Sequence, residues 1–223
     1  MENTENTLEY KSPSKKHKKT SPLTIFYRVF CILLIFVSIC FIAFNIIFDY
    51  KNISGESMQP TYNYPNVKQE DLAFYSSHFN YSIGDVIVAK KADYNIIKRL
   101  IAMEGDTFTL KKDSDGFFHI FVNDIMQDES YLLNLDQNEH LYNTIKNSYE
   151  TSWKTKMSIT ITENLISFIV PQDYCFYLGD NRLESYDCAD YGPTLIENIT
   201  HKVIFVIPYG ENFITYWWKR IFS

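Results

Sequence analysis

This 223-residue sequence predicts a mainly β fold behind a single N-terminal membrane-spanning helix, and three observations lead there. Residues 29–48 run VFCILLIFVSICFIAFNIIF, twenty positions without a charge. Beyond them, short runs rich in Val, Ile, Phe and Tyr alternate with Asp-Gly, Asn-Asp and Gly-Asp turns, the pattern of strands joined by tight connections. Tyr and Phe number 17 each against only 7 Gly, and aromatic residues suit a pleated, half-buried surface. Many short strands with few strong helical segments predict a mostly antiparallel domain. It spans residues 49–223, long enough to bury a sizeable core, with an irregular insertion at 134–158.

Taken in order, residues 1–28 read as a basic tail rich in Ser, Thr and Asn. Its charges are Lys11, Lys15, Lys16, Lys18, Lys19 and Arg28 against three Glu. Residues 29–48 at 1.5 Å per residue reach about 30 Å, the thickness of the hydrocarbon layer. A cleaved leader has a shorter apolar stretch ending in small residues, whereas this one exits through Phe48-Asp49-Tyr50-Lys51. The basic flank predicts a cytoplasmic N-terminus and an extracytoplasmic domain. That domain is acidic, with 15 Lys/Arg against 24 Asp/Glu over residues 29–223, which argues against a nucleic-acid partner.

In the domain, residues 71–75, 85–91, 159–170, 174–178 and 202–207 carry strand signals. Residues 94–103 (YNIIKRLIAM) fit strand or helix, and their β-branched content favours strand. Two successive hairpins fill 107–130, turning at Asp115-Gly116 and Asn123-Asp124. Residues 134–158 are polar, with a short helix expected at their centre. The end of the chain, Phe213 to Arg220, suits either a membrane interface or a terminal strand packed on the core.

Two residues stand out chemically. Ser57 lies in Ser54-Gly55-Glu56-Ser57-Met58-Gln59-Pro60-Thr61, and a serine hydroxyl needs a base beside it to attack a carbonyl. None of the five histidines (17, 78, 119, 140, 201) sits in a segment resembling a Ser-His-Asp site. Lys98 lies inside the apolar run Ile96-Ile97-Lys98-Arg99-Leu100-Ile101, where burial on one face would favour the neutral amine, a general base. By itself that pattern favours a structural lysine facing solvent. Residues 178–192 follow an apolar strand with a segment dense in turn formers and hydrogen-bonding side chains. Cys31 and Cys40 fall in the anchor; Cys175 and Cys188 fall outside it, where a disulfide is permitted but geometry decides. With no Cys-x-x-Cys pair and no clustered His, no metal and no cofactor are expected.

Four segments in order resemble the type I signal peptidases of Gram-positive style. They are the anchor with Gly55-Glu56-Ser57-Met58-Gln59-Pro60-Thr61, then Gly84-Asp85-Val86-Ile87-Val88, then Ile97-Lys98-Arg99-Leu100-Ile101-Ala102-Met103-Glu104-Gly105-Asp106, and last Leu178-Gly179-Asp180-Asn181-Arg182 continuing to Ser185 and Asp187. The stretch Asp128-Glu129-Ser130-Tyr131-Leu132 is also similar. The resemblance implies a serine endopeptidase of that fold, with Ser57 as nucleophile, Lys98 as base and Ser185 orienting Lys98. It puts the Ser57 backbone N–H in the oxyanion region, and Gly55 where some relatives place a second donor. Met58 would line the specificity pocket, while Arg99, Asp180, Asn181, Arg182 and Asp187 would hold the site together. The implied partners are signal peptides of exported preproteins and membrane lipid, met by a monomer.

The sequence also departs from the pattern. Ala102 and Glu104 stand where the family usually has Gly and Pro, and Cys188 and Ala189 replace a Ser-Arg pair, depriving Asp187 of its usual arginine. A self-cleaving repressor protease would share the Ser/Lys logic but would carry a DNA-binding domain in place of an anchor. The remaining alternative is a catalytically silent or narrow-substrate assembly factor for exported surface proteins, built on the same fold.

Overall fold

The computed structural model describes residues 21–153 and 157–222. Lysines 11, 15, 16, 18 and 19 of the expected basic tail lie outside the described residues. The chain forms two units, one ending at Phe44 and one running from Asn45 onward. The first is dominated by α1 (Pro22–Ile47), 26 residues long and about 39 Å at 1.5 Å per residue. It begins seven residues before the expected apolar start. Ser21 caps it, with Oγ accepting the Thr24 N–H at 3.3 Å, and Pro22 takes the first helical position, where its missing N–H costs nothing. No side chain of α1 is buried. A helix apolar on all sides and uncovered by protein is suited to lipid.

The second unit holds two antiparallel sheets. The larger has seven strands in the order β1 (Asp49–Asn52), β2 (Leu72–Ser76), β12 (Ile199–Ile207), β3 (Val86–Lys91), β4 (Tyr94–Met103), β10 (Tyr174–Leu178) and β11 (Thr194–Leu195). The smaller has five, in the order β7 (Ile125–Met126), β6 (Phe118–Val122), β5 (Thr107–Lys112), β9 (Leu165–Ile169) and β8 (Thr160–Thr162). The mostly antiparallel expectation therefore holds. The Asn123-Asp124 turn has φ of 53° and 63°, the paired left-handed residues that a two-residue hairpin with right-handed strand twist demands.

The centre of the larger sheet is covered on both faces, which explains the unbroken apolar run Val86-Ile87-Val88-Ala89. Ile87 and Ala89 face the main core with Leu100, Phe108, Phe168 and Phe176. Val86 and Val88 face a smaller cluster with Ile53, Met58, Ala73 and Val203. Period-two alternation then places Lys98, which pairs with Ile87 across the β3–β4 ladder, on the main-core side of the sheet.

Within the expected insertion the short helix is present as α2 (Gln137–Ser148), which buries Gln137, Asn138, Leu141, Tyr142 and Ile145 on one stripe, and a π-helical turn ends at the fully buried Trp153. Two expectations need correction. The single strand signal at 159–170 is two strands, β8 and β9, folded back on each other. The chain's end is the helix α4 (Phe213–Phe222), not a strand. Asn212 starts it with a reciprocal cap, its Oδ1 accepting the Thr215 N–H at 2.9 Å while Thr215 Oγ1 accepts the Asn212 N–H at 3.1 Å. That cap, together with the Phe213, Tyr216 and Trp217 rings packed on Phe205 of β12, overrides the strand preference of Phe, Ile, Thr, Tyr and Trp.

Candidate active site

Ser57 sits on a turn-rich loop between β1 and β2. Gly55, at φ 92°, supplies a backbone conformation that a side chain would strain. Asn63 staples the loop, and its own signal in the sequence was only a polar residue among tyrosines. Its Nδ2 donates to the Ile53 carbonyl at 2.8 Å and the Gly55 carbonyl at 3.2 Å. Its Oδ1 accepts the Asp71 N–H at 2.8 Å, and its N–H donates to Asp71 Oδ2 at 2.8 Å. Such saturation fixes a loop that has no strand partner.

Lys98 rises from the middle of β4. It is 4% exposed, and its Nζ lies 2.7 Å from Ser57 Oγ and 3.0 Å from the Ile97 carbonyl oxygen. Burial pulls its pKa below the ordinary lysine value; the Asp187 and Asp180 carboxylates oppose this, and the Lys91 charge adds to it. The direction follows from desolvation, which penalises an ammonium that has exchanged water for only two protein acceptors. A neutral amine in that position accepts a hydrogen bond from the Ser57 hydroxyl and can take its proton.

The glycine-led loop after β10 closes over this pair. The Asn181 N–H donates to the Ser57 carbonyl at 3.0 Å, holding the serine backbone in place. A Cβ on Gly179 would overlap Ser185 Oγ and the Ser57 carbonyl oxygen, so only glycine lets the loop come this close. Ser185 donates its hydroxyl to Asp187 Oδ2, so its hydrogen bond goes to the acid and not to the lysine expected from the resemblance. Asp187 also accepts the Gly179 N–H at 2.8 Å and the Ala189 N–H at 2.9 Å. Backbone and hydroxyl donors thus serve the carboxylate that lacks its arginine.

Arg99 and Asp180 form a two-pronged pair at 2.8 and 2.6 Å. Thr61 Oγ1 adds a bond to Asp180 at 2.5 Å, tying the nucleophile loop to it. Arg182 is buried and donates to Gly179 O (3.0 Å), Asn138 Oδ1 (2.7 Å), Glu129 Oε1 (3.0 Å) and the Tyr131 hydroxyl (3.1 Å). Two of these acceptors lie in the 128–132 stretch noted in the sequence; Asn138 comes from α2, which had no assigned role. Of the departures, Ala102 is buried within β4. Glu104 Oε2 accepts the N–H of Asp173 at 2.7 Å, a residue held at φ 67°. Cys175 and Cys188 are both buried and unbridged, and burial raises both thiol pKa values.

A cleft of about 250 Å³ opens beside the pair, lined by Ile53, Gly55, Ser57, Met58, Val88, Ile96 and Lys98, with Tyr75 and Tyr94 among its other walls. Met58 is 3% exposed and bridges the cleft and the smaller core cluster. Among the described residues no group within the protein accepts the Ser57 N–H.

The sequence matches the family described as "Signal peptidase, peptidase S26" over residues 25–208. "Signal peptidase I" of Bacillus caldolyticus is 31% identical over 183 residues, covering 76% of this chain and 86% of that protein. "Signal peptidase I" of Streptococcus pneumoniae is 29% identical over 183 residues, covering 74% and 85%. "Signal peptidase I P" of Bacillus subtilis subsp. natto is 30% identical over 149 residues, covering 64% and 67%.

Proposed function

This chain belongs to the signal peptidase family, peptidase S26, and on that premise we propose that it removes signal peptides with Ser57 as nucleophile and Lys98 as general base. The observation that carries this reading is the 2.7 Å contact between Lys98 Nζ and Ser57 Oγ at a buried lysine. The neutral amine takes the serine proton as Oγ attacks the scissile carbonyl, and the resulting ammonium returns it to the leaving amine. The acyl-enzyme is then hydrolysed by a water that Lys98 deprotonates. The Ser57 N–H stabilises the developing oxyanion, a contribution of about 3 kcal/mol from one donor in comparable sites. The nearby Gly55 offers no side-chain donor.

The cleft beside Ser57 takes the residues before the cut, with Met58 in its wall, and its size suits small side chains. Arg99, Asp180, Asn181, Arg182 and Asp187 position the loops around the dyad, and Ser185 reaches Lys98 through Asp187. Dyad and cleft are built from one chain, so a monomer suffices. The enzyme is membrane-anchored through α1, with residues 1–28 cytoplasmic and residues 49–223 outside. Lipid also meets the outer face of α4, where Ile214, Trp218, Ile221 and Phe222 are exposed together at i, i+4, i+7 and i+8. An enzyme tethered at the membrane surface meets a membrane-held signal peptide at high effective concentration.

The test is cleavage of a purified preprotein with an Ala-x-Ala site by wild type, Ser57→Ala and Lys98→Met, each in lipid or detergent. Cleavage after the small residue by wild type alone supports the dyad. Equal cutting by all three, or none by wild type on any preprotein tried, removes it.

A further inference from the structure

The loss of arginine at position 189 leaves Asp187 without the cation its family pattern supplies, yet a different cation stands nearby. Lys91 ends β3, and its Nζ lies 3.9 Å from the ring centroid of Tyr186 and 3.9 Å from that of Tyr191. The two rings meet edge to face, 5.5 Å apart, and form a corner around the ammonium. Both are well inside the range at which an aromatic face attracts a cation. Tyr186 lies between Ser185 and Asp187, and Tyr191 ends α3 (Cys188–Tyr191), the helical turn that Asp187 caps. The corner is therefore part of the loop that closes over the dyad, while the lysine belongs to the strand pair that carries the base. Lys91 and Lys98 stand on the same face of that pair, since Ile87 opposes Lys98 and positions 87, 89 and 91 alternate to one side. The small Ala89 lies between them.

We propose that Lys91 is a positioning residue for the reaction: clasped by Tyr186 and Tyr191, it ties the 179–191 loop to the β3–β4 pair and supplies the positive charge that Ala189 cannot give to Asp187. The proposal rests on the reading of Lys98 as the base. The titratable groups facing Lys91 are Asp187, Asp190 and Cys188 from the loop and Lys98 from β4; Lys98 itself faces Asp187, Asp180 and Cys188. Lys91 repels a proton on Lys98 directly and also offsets the pull of Asp187 on that proton. Both effects favour the neutral base, so removing Lys91 moves the base in one direction only, toward holding its proton.

The experiment is kcat/KM against pH for the full chain in lipid, acting on a preprotein, for wild type, Lys91→Met, Lys91→Arg, Tyr186→Leu and Lys98→Met. Lys91→Met is expected to move the acid limb up by about half a pH unit, with about threefold lower kcat/KM on that limb. Lys91→Arg restores both, because a guanidinium also stacks on aromatic faces. Tyr186→Leu, at an exposed position that tolerates truncation, moves the limb the same way by less. A Lys91→Met enzyme that is slower with its acid limb unmoved has lost only a packing contact, and the proposal falls. It falls equally if rate and limb are both unchanged, or if Lys91→Met cannot fold and Tyr186→Leu leaves the limb in place. Activity retained by Lys98→Met would instead overturn the dyad itself, a separate outcome from any of these.

Discussion

One buried cation, Arg182, lies in the loop after β10 and another, Lys98, lies in β4 beneath it, and they are treated in opposite ways. Arg182 has four side-chain hydrogen bonds, one of them to the buried carboxylate of Glu129. Burial works against its charge, but Glu129 and neighbouring groups more than offset this and its pKa lies above the ordinary value. Lys98 is equally buried, with one carbonyl and one hydroxyl as acceptors, and among the described residues no carboxylate is within ion-pair distance of it. A guanidinium so enclosed keeps its proton and pins three segments together, its own loop, α2 and the 128–132 stretch. An ammonium so poorly served is ready to lose its proton. The difference teaches that burial alone assigns no role; the number and charge of the acceptors decide between a structural cation and a base.

The comparison predicts separable failures. Ser57→Ala should lower kcat on a preprotein by about a thousandfold or more, as loss of a nucleophile does in related chemistry, with the melting midpoint nearly unchanged. A Ser57→Ala enzyme within tenfold of wild type would break the assignment. Arg182→Met strands the Glu129 carboxylate in the interior and should cost about 3–5 kcal/mol of stability, read from denaturant unfolding. An unchanged midpoint would show that Glu129 had found other partners.

Lys98→Met should do the reverse, abolishing cleavage while raising the melting temperature. The expected rise is about 2–4 °C for each kcal/mol of burial cost relieved. The sign follows from linkage. Lys98 titrates below the unfolded-chain value of about 10.4, so below its folded pKa both states are protonated and wild type carries the whole cost of a buried charge. As pH rises through the folded pKa that cost is progressively relieved, and it is gone above about pH 10.4. The advantage of methionine should therefore be largest at low pH and vanish toward pH 10.4; a constant advantage would point to packing. The smallest effect is expected at Glu104→Ala, which removes the acceptor of the Asp173 N–H and should cost about 1 kcal/mol without moving the pH profile.

Much of the fold was legible in the sequence. The strands β5 and β6 fall where period-two alternation puts them, and β2, β3, β4 and β10 fall where short apolar or β-branched runs bounded by turn signals do, since those runs are buried on both faces. What escaped was decided by contacts between distant segments. The helix α2 is polar in composition, and only its packing against β6 and the 179–191 loop turns Gln137 and Asn138 into buried ligands of the Arg182 backbone and side chain. The helix α4 is written in strand-forming residues, and its Phe213, Tyr216 and Trp217 rings pack on Phe205 of β12. Ser57 and Lys98 were legible as a candidate nucleophile and an oddly placed lysine, and the resemblance joined them across 41 residues. Asn63 and Lys91 carried no such signal, since each becomes informative only with its partners in place.

The sequence by itself determined that a long uncharged helix precedes a strand-rich acidic domain, because hydrophobic length and alternation are properties of neighbouring residues. Only the tertiary structure decided which lysine is buried beside the serine, which arginine is saturated, and which cation stands near Asp187. Those outcomes depend on desolvation and on hydrogen bonds made across the fold, between residues that share no local pattern.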